Sequence, residues 1–141
     1  LKTNDNVLSG STISEIGMSS DLKSLSLMGN NLDGAIQHRS GIHAEIAILN
    51  LNDNLFSGAI PLTMNQTSTE SFLPILPKLK ELSIRSNFIS STLPSQIGLM
   101  SDLELLDMGS NRLQSTIPSE IGQLLRLGKF LFVRCSTVDI H

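Results

Sequence analysis

An asparagine returns through this chain at a nearly fixed step. Counting back from Asn111, it recurs as Asn87, Asn54, Asn30 and Asn6, at intervals of 24, 33, 24 and 24 residues. An apolar residue two places on returns with it: Leu113, Ile89, Phe56, Leu32 and Leu8. A period in the twenties is the mark of stacked supersecondary units. One such unit cannot bury its apolar face alone, so the copies must stack and share a core. The chain is therefore expected to be a solenoid.

Leu103, Leu106, Met108, Asn111 and Leu113 set the frame. The fourth coil repeats it as Leu79, Leu82, Ile84, Asn87 and Ile89, and the third as Ile46, Leu49, Leu51, Asn54 and Phe56. Leu22, Leu25, Leu27, Asn30 and Leu32 make the second. The first is partial, and Thr3 stands where a strand leucine belongs; a sixth begins at Leu127, Phe130 and Phe132, with Cys135 where Asn is due. Inward residues at period 2 predict short strands, centred on Ser26, Asn50, Ser83, Asp107 and Leu131. Each Asn amide is expected to satisfy backbone groups of its own and the adjacent coil, so Asn6, Asn30, Asn54, Asn87 and Asn111 form an internal ladder. The prolines of Ile-Pro, at 61 and 118, suit an irregular convex side. Ser20-Asp21 and Ser101-Asp102 are placed to cap short helical turns there. The single longer step implies nine extra residues within 65–78, expected as a loop on the convex face.

The pattern L-x-x-L-x-L-x-x-N-x-L, followed by Ser57-Gly-Ala-Ile-Pro61 and Ser115-Thr-Ile-Pro-Ser-Glu-Ile-Gly122, resembles the plant-type extracellular leucine-rich repeat. The resemblance implies an α/β right-handed solenoid, with a parallel concave β-sheet and convex loops and short helical turns. It also implies a second short strand near each Ser/Gly-x-Ile-Pro. Receptor-like kinase ectodomains, receptor-like proteins and polygalacturonase-inhibiting proteins are the relatives implied. Their paired-cysteine caps are missing here, and Ser91 and Ser115 replace glycine. Residues 1–141 are thus read as one domain of about five repeats plus the start of a sixth, a fragment of a longer solenoid.

Chemistry-bearing motifs are missing. No phosphate-binding loop, nucleophile elbow, zinc-protease helix, paired-cysteine zinc pattern or kinase signature is present, so the chain reads as non-catalytic and without cofactor or metal. His38 and His43 are spaced for neither a helical face nor a metal motif. A net charge of −3 and the absence of Trp and Tyr argue against nucleic acid. No apolar run approaches the roughly 20 residues of a membrane span. Function then falls to the outward positions. Arg85, Phe88, Asp107 and Arg112 gather charge and aromatic surface on what is read as the concave face, the composition of an interface hot spot. The competing reading is local: Arg112 covers the Phe88 ring and Arg85 pairs with Asp107, for about 1 kcal/mol at most. A protein or peptide ligand is expected first and a carbohydrate second. The family resemblance implies a secreted or membrane-anchored receptor-like protein in signalling; the alternatives are a cytoplasmic interaction scaffold, or the ectodomain fragment of a receptor-like kinase whose catalytic domain lies outside these residues. Asn65-Gln-Thr67 is the one N-glycosylation acceptor.

Overall fold

The computed structural model describes residues 1–10, 21–36, 45–60, 78–114 and 117–132. The insertion, Asn65, His38, His43 and Cys135 lie outside the described residues. Among these residues nine short strands follow in order: β1 Ser9–Gly10, β2 Ser24–Ser26, β3 Asn31–Ala35, β4 Ile48–Asn50, β5 Leu55–Gly58, β6 Glu81–Ser83, β7 Phe88–Ile89, β8 Leu105–Asp107 and β9 Lys129–Leu131. Strands β2, β4, β6, β8 and β9 make one parallel sheet, and β1, β3, β5 and β7 make another. The fold is therefore a solenoid, in which the second, third and fourth coils each contribute one strand to each sheet in turn.

In the first sheet, repeat-equivalent residues face one another: Leu25 pairs with Leu49, Leu49 with Leu82, Leu82 with Leu106, and Leu106 with Phe130. The strands centre on these inward residues, one place before the expected Ser26, Asn50, Ser83, Asp107 and Leu131, which end them instead. The reason is geometric. A three-residue strand here is one buried side chain between two outward ones. In the second sheet the partners are offset: Asp33 faces Leu55 and Ser57 faces Phe88, although Leu55 and Phe88 share a repeat position.

The residue before each asparagine turns the chain out of the first sheet. Asp5, Gly29, Asp53, Ser86 and Ser110 all take the left-handed conformation, with φ between 53° and 68°. Short polar residues and glycine bear this at least cost, which accounts for the composition of the position. Four asparagines then bind coil to coil. The Asn54 amide donates to the carbonyls of Leu51 and Asn52 in its own coil and to Leu27 in the previous one, and its oxygen accepts from the Leu32 N–H at 3.1 Å. Asn30, Asn87 and Asn111 repeat the scheme. Asn6 is the exception, donating only to the Asn4 carbonyl two residues away.

Between the sheets and the convex side lies one core. Leu51, Phe56, Leu79, Ile89, Ile97, Leu103 and Leu106 are wholly buried in it. Among the described residues the convex side carries two 3-10 helices, Ser95–Leu99 and Ser119–Gln123, which begin after Pro94 and Pro118 and have no side-chain cap. Proline fixes its own φ near the value that starts the turn, and its own nitrogen leaves no donor unpaired. Ser101-Asp102 lies in the turn that follows instead, where Asp102 accepts from Arg126 at 2.6 Å. No helix among the described residues is long and apolar enough to cross a membrane.

The first coil is the weakest packed. Its strand shrinks to a single bridge, Lys2 to Ser26, and the Thr3 hydroxyl oxygen is buried without a hydrogen-bond partner. Replacing that hydroxyl by a methyl removes an unsatisfied polar atom at constant shape. Thr3→Val is expected to raise stability by about 1 kcal/mol in urea melts; a loss of stability would show that the hydroxyl is satisfied in solution.

Candidate functional site

The outward residues of the first sheet form two columns: Ser24, Ile48, Glu81, Leu105 and Lys129, then Ser26, Asn50, Ser83, Asp107 and Leu131. Past the strands a third follows with Met28, Asn52, Arg85 and Gly109. Much of its polarity is used internally. Asn4 accepts from the Ser26 hydroxyl at 2.7 Å, Asn50 from the Asn52 N–H at 3.1 Å, and Asn52 from the Arg85 N–H at 2.7 Å. These side chains brace the sheet.

The same holds for Asp107, which the sequence places as a solvent-facing residue. It is only 8% exposed, and its carboxylate accepts from the Gly109 N–H at 3.0 Å. Gly109 has no side chain, so Arg85 lies across the space: a Cβ there would come within 3.6 Å of the Arg85 guanidinium and 3.3 Å of the Asp107 oxygen. Even so, no ion pair joins Arg85 to Asp107. The ion pairs among the described residues are Lys78–Glu45, Lys80–Glu104 and Arg126–Asp102. All three link neighbouring coils along the edge where the chain enters the first sheet. The bond from Lys78 holds the exposed Glu45 carboxyl below its ordinary pKa.

Phe88 and Arg112 do come together. The guanidinium carbon of Arg112 sits 4.6 Å from the centre of the Phe88 ring, and Phe88 remains 40% exposed. Their location differs from the sequence reading. Phe88 opens β7, so the pair lies on the flank formed by the second sheet, beyond the left-handed turn, and not on the concave face. Leu55, in the same repeat position, is likewise 44% exposed. Arg85 and Asp107 stay on the concave side, so the four expected site residues divide between two faces. The column of Ser24, Ile48, Glu81, Leu105 and Lys129 escaped the sequence reading. The signal was there, since these residues precede each inward strand leucine, just as the column considered follows it.

Among the described residues no group of three His, Cys, Asp or Glu could hold a metal ion. A shallow groove of about 570 Å³ lies at the entering edge of the first sheet, lined by Glu81, Glu104, Leu105, Arg126, Gly128 and Lys129.

The Leucine Rich Repeat family model matches residues 78–100 and 102–124, the fourth and fifth coils. No curated protein sequence matches the chain. Solved structures do. One is a chain of the Arabidopsis receptor kinase HAESA in complex with the peptide hormone IDA and the co-receptor SERK1 (28% identity, TM-score 0.74, 90% of this chain and 20% of that one). Another is the ectodomain of the Arabidopsis thaliana receptor kinase SOBIR1 (29%, 0.73, 94% and 68%). A third is a chain of the BIR3–SERK2 complex of Arabidopsis thaliana (27%, 0.72, 92% and 66%). The chain thus spans about a fifth of the first and about two-thirds of the other two.

Proposed function

We propose that this leucine-rich-repeat solenoid is a non-catalytic recognition scaffold that binds a protein or peptide ligand. The observation that carries the reading is the Phe88–Arg112 stack. An aromatic ring left 40% exposed, with a guanidinium laid over it, is surface composition typical of binding hot spots. Arg85, on the adjoining concave face, has no ion-pair partner among the described residues. The HAESA structure, in which the receptor kinase is bound to a peptide hormone, supports the class of ligand.

Binding is tested with a partner captured by the complete protein. Phe88→Ala and Arg112→Ala are each expected to weaken it by at least ~1 kcal/mol, while the melting curve stays nearly unchanged, because neither side chain belongs to the core. Binding that survives both, but is lost when convex Gln96 or Glu120 is replaced, moves the site to the other face.

The likeness to receptor kinase ectodomains supports an extracellular or cell-surface location, with anchoring and signalling through segments beyond these residues. On this reading Asn65 carries a glycan when the protein passes through the secretory pathway. A mass decrease on glycosidase treatment, abolished in Asn65→Gln, is the expected result. An unmodified Asn65 favours the cytoplasmic interaction scaffold.

A further inference from the structure

The groove at the entering edge of the first sheet has a charge pattern of its own. Four charged side chains line it, and two are spent on neighbours: Arg126 donates to Asp102 at 2.6 Å, and Glu104 faces Lys80 at 3.4 Å. Glu81 and Lys129 have no ion-pair partner among the described residues, and both are exposed. They flank Leu105 in strict register, Glu81 pairing with Leu105 and Leu105 with Lys129. The half-buried leucine is an apolar floor with an acid on one side and a base on the other.

One residue of the lining brings no side chain to it. Gly128 occupies the repeat position held by Lys80 and Glu104 in the two coils before. Nothing in the backbone demands glycine there: its φ is not left-handed, and a Cβ would meet only the Glu104 carbonyl oxygen, at 3.8 Å.

Spacing narrows the occupant. Glu81 and Lys129 are two strand separations apart, roughly 9.5 Å. In a fully extended β-chain, side chains on one face recur every two residues, about 6.6 Å, which is too short. A polyproline II segment has three residues per turn at about 3.1 Å each, so its side chains recur on one face every ~9.3 Å. Its lack of internal hydrogen bonds and low conformational freedom also suit a shallow groove.

We infer that the groove over Leu105 is a peptide subsite for a polyproline II segment carrying a cation and an anion three residues apart. The cation meets Glu81, the anion meets Lys129, and the two intervening residues cross Leu105. This subsite stands apart from the Phe88–Arg112 stack, which is on the other sheet, and neither depends on the other.

The probe is a fluorescent, end-blocked peptide containing Lys-Pro-Pro-Glu, titrated against the 141-residue chain by anisotropy at low salt. Two controls shorten or lengthen the spacer to Lys-Pro-Glu and Lys-Pro-Pro-Pro-Glu. The matched spacing is expected to bind at least about fivefold tighter than either control, the difference of one well-placed exposed charge pair. Glu81→Lys and Lys129→Glu each remove that preference, and the double reversal restores it, since the groove then offers the same charges in exchanged places. Gly128→Gln, which the backbone accommodates, blocks binding without moving the melting temperature. Equal affinity at all three spacings, no binding at any, retention in Gly128→Gln, or full competition by free lysine each overturns the inference. Loss in Phe88→Ala would also overturn it, by assigning the peptide to the flank.

Discussion

Leu106→Ala is expected to cost roughly 2–5 kcal/mol in urea melts, a large part of the 5–15 kcal/mol that holds a typical domain together. Leu106 has no exposure and stands on the last strand but one of the first sheet, facing Leu82 on one side and Phe130 on the other. Its neighbours cannot close on the void. Its coil is pinned to the previous one by the asparagine ladder and to both neighbours by strand pairing, so the deleted methyl groups leave a cavity and unfilled contacts. The comparison one residue along is instructive. Asp107→Ala is expected to cost about 1 kcal/mol, because the carboxylate is buried and accepts from the Gly109 N–H. Solvent facing alone would predict less than about 0.5 kcal/mol for that change. Equal losses for the two variants would mean the strand faces the wrong way.

Asn54→Ala is expected to be the next most damaging change, at roughly 1–3 kcal/mol. Nothing apolar is lost of any size; what is lost is a set of partners. The amide serves the carbonyls of Leu27, Leu51 and Asn52, which keep a second donor each in Asn30, Asn87 and the Gly29 N–H, and the buried N–H of Leu32, which the change leaves unpaired at a cost of about 1–3 kcal/mol. Two of these groups, at Leu27 and Leu32, belong to the previous coil. The change therefore attacks the interface between the second and third coils, on which a quasi-one-dimensional fold depends. Hydrogen exchange should show it directly: protection falls in β2 and β3 while β6 and β8 keep theirs. Asn6→Ala serves as the control and should cost under about 0.5 kcal/mol, since Asn6 makes only a local, exposed bond. A loss for Asn6→Ala as great as for Asn54→Ala would show that the ladder is not what joins the coils.

The inward half of each coil was legible in the linear chain. Leu25, Leu49, Leu82 and Leu106 recur at the repeat spacing because each coil faces the same problem of burying one apolar edge, and local chemistry solves it the same way each time. The asparagines are legible for the same reason. Outward positions obey no such rule. That Phe88 belongs to the second sheet follows from the left-handed turn at Ser86, and serine alone does not announce a turn. That Asp107 is buried and accepts from the Gly109 N–H is likewise not announced by its place in the repeat. The groove over Leu105 needs Gly128 in one coil, Glu81 two coils earlier, and ion pairs that neutralise Arg126 and Glu104 but leave Glu81 and Lys129 unmatched. The chain by itself therefore determined the period, the core and the ladder, which repeat within every coil. Which outward side chains meet, and which stay available to a ligand, only the stacked structure decided, because those contacts join residues of different coils and depend on how one coil sits on the next.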